Sequence, residues 1–418
     1  MKDFTGVSEA KDAVDMSNEL GPTEKNGSLG SLFLPSLAFS YFATGPLGVL
    51  VSLLLVDIGL TFNTDVSLMS QVNTSYNIAA FVFALLMGVL SVRFKHKTLL
   101  IVGIILTCGS ALGFYLAWDF VIVLAAYSLS GIGWAMISPT VFTLIGEHIS
   151  LAKRANAIGL TVAAGALGYV IGPLLIAWIA NLGGWRLCLV GFVIPVLLVS
   201  LLMASVGVPS TLRNNKKAPD GRDYLKGFRN VLSNRSAVAC IVGDALRSAA
   251  FVATLIYVAS FVRKHFQMST DFASLVLLGG ASCFAIGSVV AGPFVNRLGR
   301  KKLTVVNAVL AGTFTMCYYL TPNLWLSMTL VMVASWFFGM LVSSANSLTL
   351  EQVPEARGTV MSLSTASLNL GSALGTAIGG LALSSFGYEG LGSVLGAMGI
   401  VAAFVVLLFA GDPTSRYC

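Results

Sequence analysis

Inside the apolar run 237–262 stands Gly243-Asp244-Ala245-Leu246-Arg247-Ser248, where two opposite charges lie deep within a hydrophobic stretch. As a helix rising 1.5 Å per residue, the run places Asp244 about 10 Å and Arg247 about 15 Å from its start. Three positions apart, the two side chains share one face. Charges at such depth are costly unless paired or facing water, which makes them functional candidates by default. Two roles are open. The pair can be structural, each charge merely neutralising the other. Alternatively, a substrate that displaces or engages Arg247 changes how Asp244 holds a proton, the elementary step of proton–substrate coupling. Asp57, Asp65, Asp119, Glu147, Asp271 and Glu351 all fall near the ends of apolar runs, so Asp244 is the deep carboxylate available as a proton carrier.

The elements that must position this pair follow from composition. Of 418 residues, 56% are apolar and 10% charged, with a mean hydropathy of +0.86. A soluble chain carries roughly a quarter of its residues charged. Without water, backbone groups must pair internally, so each apolar run is expected to be a helix of about 20 residues. Twelve such segments are read at 31–57, 67–92, 98–116, 120–146, 156–181, 186–207, 237–262, 272–295, 303–321, 325–350, 358–384 and 390–410, called segments 1 to 12 below. The fold class expected is an all-α polytopic membrane protein of twelve transmembrane helices in two six-helix bundles. Residues 31–207 and 237–410 form the bundles, joined by a cytoplasmic linker at 208–236. Residues 1–30 and 411–418 read as cytoplasmic tails, the first polar and acidic with no apolar core of a signal peptide.

Positive charge sets the expected orientation. With both termini cytoplasmic, 21 of the 25 Lys and Arg fall on the cytoplasmic side. The positive-inside rule therefore places the termini in the cytoplasm, and the compact loops suggest a prokaryotic inner membrane. The same distribution assigns the net charge of +7 to topology and lipid rather than nucleic acid.

The halves repeat. Gly88 to Lys97 aligns with Gly292 to Lys301 at an offset of 204, Glu147 and Arg154 align with Glu351 and Arg357, and Gly168 and Gly172 align with Gly375 and Gly379. Parallel repeats related by an axis along the membrane normal are a transporter architecture. The basic loops after segments 2 and 8 resemble the Gly-x-Leu-x-Asp-Arg-x-Gly-Arg-Lys signature of the major facilitator superfamily. The segment 5 run Gly159…Gly165, Gly168, Gly172-Pro173 resembles the motif that marks its antiporters, especially the twelve-helix drug:proton antiporters and sugar-efflux-like relatives. The resemblance implies a secondary transporter, usually monomeric, and a cytoplasmic gate. Candidates for that gate are Arg93, Lys97, Arg154, Arg297, Arg300 and Arg357, with Glu147 and Glu351 as their acidic partners at helix ends. The loops also have a plainer use, topology and contact with anionic lipid. Three departures stand out: Val92 and Asn296 replace the signature's Asp, and Tyr127 replaces the Arg expected in segment 4. Ile176-Ala177 also replaces the closing Gly-Gly of the segment 5 motif.

Softer candidates for a central cavity are Tyr41, Asn73 and Asn77, and Trp134 in the first half. Trp336, Asn346 and Asn369 are their counterparts in the second. Asn73 and Asn77 are four apart and share a face, though each candidate could equally be interhelical packing or hydrogen-bonding glue. The glycines of segment 5 let a neighbouring backbone approach, and Pro173 bends the helix. No GxxxxGK[ST] loop suggests ATP use, His96, His148 and His265 sit in three separate loops, and no nucleophile triad is apparent. Neither an enzyme, a metal site nor a cofactor is expected. The reading is a proton-coupled exporter of a small organic molecule. The alternative is a symporter or uniporter of a small anionic metabolite held by Arg247, and a more remote one a non-transporting receptor.

Overall fold

The computed structural model describes residues 31–149, 151–209, 229–353 and 357–412. Among them every regular element is a helix. Segment 1 is broken into Phe33–Phe42, Gly45–Leu53 and Leu55–Thr61. The first break falls where Pro46, at the start of the second piece, has no N–H to give and crowds the preceding turn. Segments 2, 3 and 4 are Gln71–Arg93, His96–Leu116 and Phe120–His148. Segments 5 and 6 share the run Leu151–Cys188, which continues through a wide turn at Leu189–Val193 into Ile194–Gly207. Segments 7 to 10 are Arg235–Lys264, Thr270–Leu298, Arg300–Leu320 and Leu324–Leu350, and segments 11 and 12 lie in Arg357–Phe409.

Several helices outrun the apolar stretches that announce them. Segment 5 starts at Leu151 rather than 156, and segments 2 and 8 reach Arg93 and Leu298. Hydropathy falls where charged residues begin, but backbone hydrogen bonding continues through them. Nine described runs are long and apolar enough to cross a membrane. Two of these hold a helix break, at Gly183–Gly184 and at Gly387, and with Gln71–Arg93 the set is consistent with twelve crossings. Leu202 and Val206 are 66% and 75% exposed, as lipid-facing side chains should be.

The repeat seen in the residues recurs in the backbone. Gly184 and Gly387 both adopt left-handed φ, 75° and 67°, and each reverses the chain at the same point of its half. Asp119 caps segment 4 by accepting from Val121 N–H at 3.3 Å, and Asn323 caps segment 10 by accepting from Trp325 N–H at 3.0 Å. The two caps are 204 positions apart, the offset of the basic loops.

One end of the helical bundle, here the basic face, carries the start of segment 1, the loops at Lys95–Lys97 and Arg300–Lys302, and the end of segment 12. At the other end the two bundles meet. There Arg263 of segment 7 forks onto Asp57 of segment 1, with Nη2 donating to Oδ1 at 2.8 Å and Nη1 donating to Oδ2. Asn181 donates to Asp271 at 2.9 Å, and Ser52 donates to the Leu255 carbonyl at 2.5 Å. Tyr257 donates to Ser70 at 2.5 Å, and Thr74 and Thr376 share a bond of 2.9 Å. These contacts form a seal between the halves.

Candidate functional site

Asp244 and Arg247 do meet. Arg247 Nε donates to Asp244 Oδ1 at 2.7 Å, and the two residues are 1% and 5% exposed. The other carboxylate oxygen accepts from Ser364 Oγ of segment 11 at 2.5 Å and from Thr349 Oγ1 of segment 10 at 3.2 Å. The guanidinium Nη2 donates to Asn346 Oδ1 of segment 10 at 2.9 Å. Both charges are thus matched and hydrogen-bonded, as buried ions must be. Beside them lies a small cavity within the second bundle, lined by Cys240, Thr304 and Thr349 among others.

A second, far larger cavity of about 1930 Å³ lies between the bundles. It runs from Ser52 and Ile256 under the seal to His96 at the basic face. Asp244 and Arg247 do not line it; one residue further along the helix, Ser248 does, followed by Phe251 and Val252. Segment 7 therefore turns one face to the charged pair and another to the cavity. The two faces are tied through segment 11: Ser364 holds Asp244, whereas Thr365, Asn369 and Ser372 line the cavity. Ser248 and Ser372 share a hydrogen bond of 2.8 Å across the seam.

Of the softer candidates, Asn73, Asn77, Trp134 and Asn369 lie in the cavity wall. Asn77 Nδ2 donates to Asn73 Oδ1 at 2.6 Å, so these two amides act as a unit. Tyr41 lies behind the wall, its ring 5.6 Å from that of Trp134 and 5.4 Å from that of Phe142. Trp336 packs with Ala291, Leu303 and Met340 inside the second bundle, and Asn346 is engaged by Arg247. Residues not singled out from sequence complete the wall: Tyr76, whose ring lies 5.1 Å from that of Tyr127, and Phe284, stacked on Phe251 at 4.8 Å. Tyr127 was visible only as a departure from the segment 4 motif; its pairing with Tyr76 needs the fold.

The glycines of segment 5 pack on segment 1. A Cβ at Gly165 would stand 2.5 Å from the Tyr41 ring, at Gly168 3.3 Å from the Phe42 carbonyl, and at Gly172 3.5 Å from Val49. Pro173 lines the cavity. Their counterparts in segment 11 pack on segment 7, with Gly375 against Ala249 and Gly379 against Tyr257. At the basic face Glu147 pairs with His96 at 3.0 Å, where an arginine partner was expected. Lys97 donates to the Ser205 carbonyl at 2.7 Å. Arg297 is exposed, Arg300 has a buried guanidinium nitrogen without a hydrogen-bond partner, and Glu351 ends segment 10. Gly159 lies within the Leu151–Cys188 helix; the side chains of Arg93, Arg154 and Arg357 lie outside the described residues, as do most of the linker and of both tails.

The Arg263–Asp57 fork is partly exposed, so it should be worth about 1 kcal/mol, equivalent to about fivefold in population. Arg263→Ala is expected to raise maleimide labelling of a Ser52→Cys reporter from the sealed face by about that factor. Unchanged labelling would show that the hydroxyl contacts hold the seal without the ion pair.

Comparison with known proteins agrees with this architecture. A family model described as the Major Facilitator Superfamily matches residues 34–282 and 245–417. An uncharacterised MFS-type transporter of Bacillus subtilis, YwfA, is 22% identical over 379 residues, covering 90% of this chain and 91% of the relative. A cis,cis-muconate transport protein of Acinetobacter baylyi is 25% identical over 333 residues, covering 76% and 79%. The crystal structure of a D-xylose–proton symporter superposes with a TM-score of 0.78 at 18% identity, covering 92% of this chain and 99% of that one.

Proposed function

This chain belongs to the Major Facilitator Superfamily, and from that premise we propose that it is a secondary transporter exporting a small organic molecule by proton antiport. The solute passes through the central cavity by alternating access of the two bundles. The observation that carries this reading is the cavity itself, sealed by Arg263–Asp57 and its neighbours at one end and extending to His96 at the other. In this reading the basic face lies in the cytoplasm, as the positive-inside rule supports, so the open end of the cavity faces inward, and the carrier works as a monomer in a cell inner membrane.

Coupling is assigned to Asp244. Because Ser364 bonds its carboxylate and Thr365 faces the solute, loss or gain of that charge acts on the seam between segments 7 and 11. The solute and the proton thus meet through the wall rather than at one atom. A panel of cations, anions, sugars and amino acids, screened by ligand-induced thermal shift of the purified chain, identifies the solute. Its flux into proteoliposomes under an imposed pH gradient is expected to require Asp244, and a gradient without effect on the wild type would remove the antiport reading. Alternating access is followed separately with a Thr365→Cys reporter in the wall, labelled from either face.

A second reading, transport of a small anionic metabolite, is favoured by the muconate relative. In its simplest form Arg247 binds the anion. That form requires Arg247 to leave both Asp244 and Asn346 and turn to the cavity. Binding abolished by Arg247→Ala but retained in Asp244→Asn would support it.

A further inference from the structure

Resting on the reading that solute crosses through the central cavity, we infer that this cavity takes a solute that is uncharged when bound and presents a flat, conjugated surface. Among the described residues that line it there is no Asp, Glu, Lys or Arg. The imidazole of the wall, His96, lies at the mouth and is paired with Glu147 at 3.0 Å.

Two ion pairs flank the cavity and each is matched: Arg247 neutralises Asp244 behind the wall at 2.7 Å, and Arg263 neutralises Asp57 in the seal. Glu147, beside His96, stands at the basic end rather than at the centre. No charged side chain of a described wall residue therefore faces an ion at the centre. While the cavity is open, water can accompany a charged solute. When the bundles rock to close it, that water must leave, and an ion would be left without a partner in a medium where unpaired charge is strongly disfavoured.

What the wall does offer is π-surface and neutral hydrogen-bonding groups. Tyr76, Tyr127 and Trp134 face the cavity from the first bundle, and the stacked Phe251–Phe284 pair faces it from the second. Flat rings gain from offset or edge contacts with such faces. The linked amides Asn73 and Asn77, with Asn369 and Ser372 opposite, supply donors and acceptors suited to a carbonyl or amide. A carboxylic acid is accommodated only with its own proton on, so pH acts on the solute as well as on the carrier. That proton travels as the O–H of the neutral acid and is released to water on the far side.

The test uses three probes with one conjugated skeleton: cinnamamide, cinnamate and cinnamylamine. Each is titrated into the purified full-length chain at pH 7.5 by tryptophan fluorescence, with Trp134→Phe as the control for site. Cinnamamide is expected to bind at least about tenfold more tightly than either ion, because the neutral wall repays no desolvated charge. Cinnamate should tighten by about tenfold for each pH unit lowered towards the carboxylic pKa, following its neutral fraction. Thr365→Lys, which places a cation at an exposed point of the wall, should reverse the order of amide and carboxylate. Cinnamate binding as tightly as the amide at pH 7.5 overturns the inference. So does failure of all three to bind, and the transport reading then survives if Thr365→Cys still alternates in labelling between the two faces.

Discussion

Asp244→Ala is expected to destabilise the protein by about 3–5 kcal/mol, and adding Arg247→Met should recover most of that loss. Removing the carboxylate alone leaves a guanidinium 5% exposed, with Asn346 as its described hydrogen-bond partner. Removing both replaces an ion pair by apolar groups, which buried sites tolerate well. The double variant should fall short of the wild type by about 1–2 kcal/mol, since Ser364, Thr349 and Asn346 each lose a partner worth about 1 kcal/mol or less. Melting of the purified variants measures this coupling directly. Function should separate from stability in the same set. Solute exchange in proteoliposomes without a gradient is expected to return in the double variant, whereas flux driven by a pH gradient should be absent from both variants. Gradient-driven flux in the double variant would show that the pair is structural alone. A double variant as unstable as Asp244→Ala would show that the two charges do not act as a unit.

The pair was legible in the residues because its depth is a property of the sequence: a charge in the middle of an apolar run is placed by counting. Its surroundings were not. Positions 244 and 247 share a face, and 248 and 251 share the next one, but periodicity does not say which face meets a cavity and which meets segments 10 and 11. For the same reason Tyr41, Trp336 and Asn346, which looked equivalent to Asn73 and Asn369, sit behind the wall. The architecture was legible for a stronger reason. A lipid solvent forces internally bonded helices of nearly fixed length, and duplicated loops and glycines betray duplicated bundles. Contacts between the bundles carry no such mark. Asp57 and Arg263 lie 206 residues apart and read singly as loop charges; only the fold makes them a fork.

Gly371→Ala should be the most damaging single-methyl change in the second bundle, costing about 3 kcal/mol or more and abolishing transport. Its Cβ would fall 2.0 Å from the Ala245 carbonyl oxygen of segment 7, and a Cβ at Gly375 would fall 2.2 Å from that of Ala249. A crowded side chain can change rotamer, but a carbonyl inside a helix can yield only if the helix moves. The seam that would open holds the Ser248–Ser372 bond at 2.8 Å and the Ser364–Asp244 bond at 2.5 Å, which are the links between the charged pair and the solute wall. The same substitution at Gly109, where nothing lies within 4 Å of the new methyl, should be neutral or stabilise by up to about 1 kcal/mol through helix propensity. Melting temperature and proteoliposome exchange, measured on both variants, distinguish a seam set by backbone contact from a general intolerance of glycine replacement. If Gly371→Ala melts like the wild type yet loses only gradient-driven flux, the two helices can separate without unfolding. The seam would then be the moving part through which Asp244 acts on the solute.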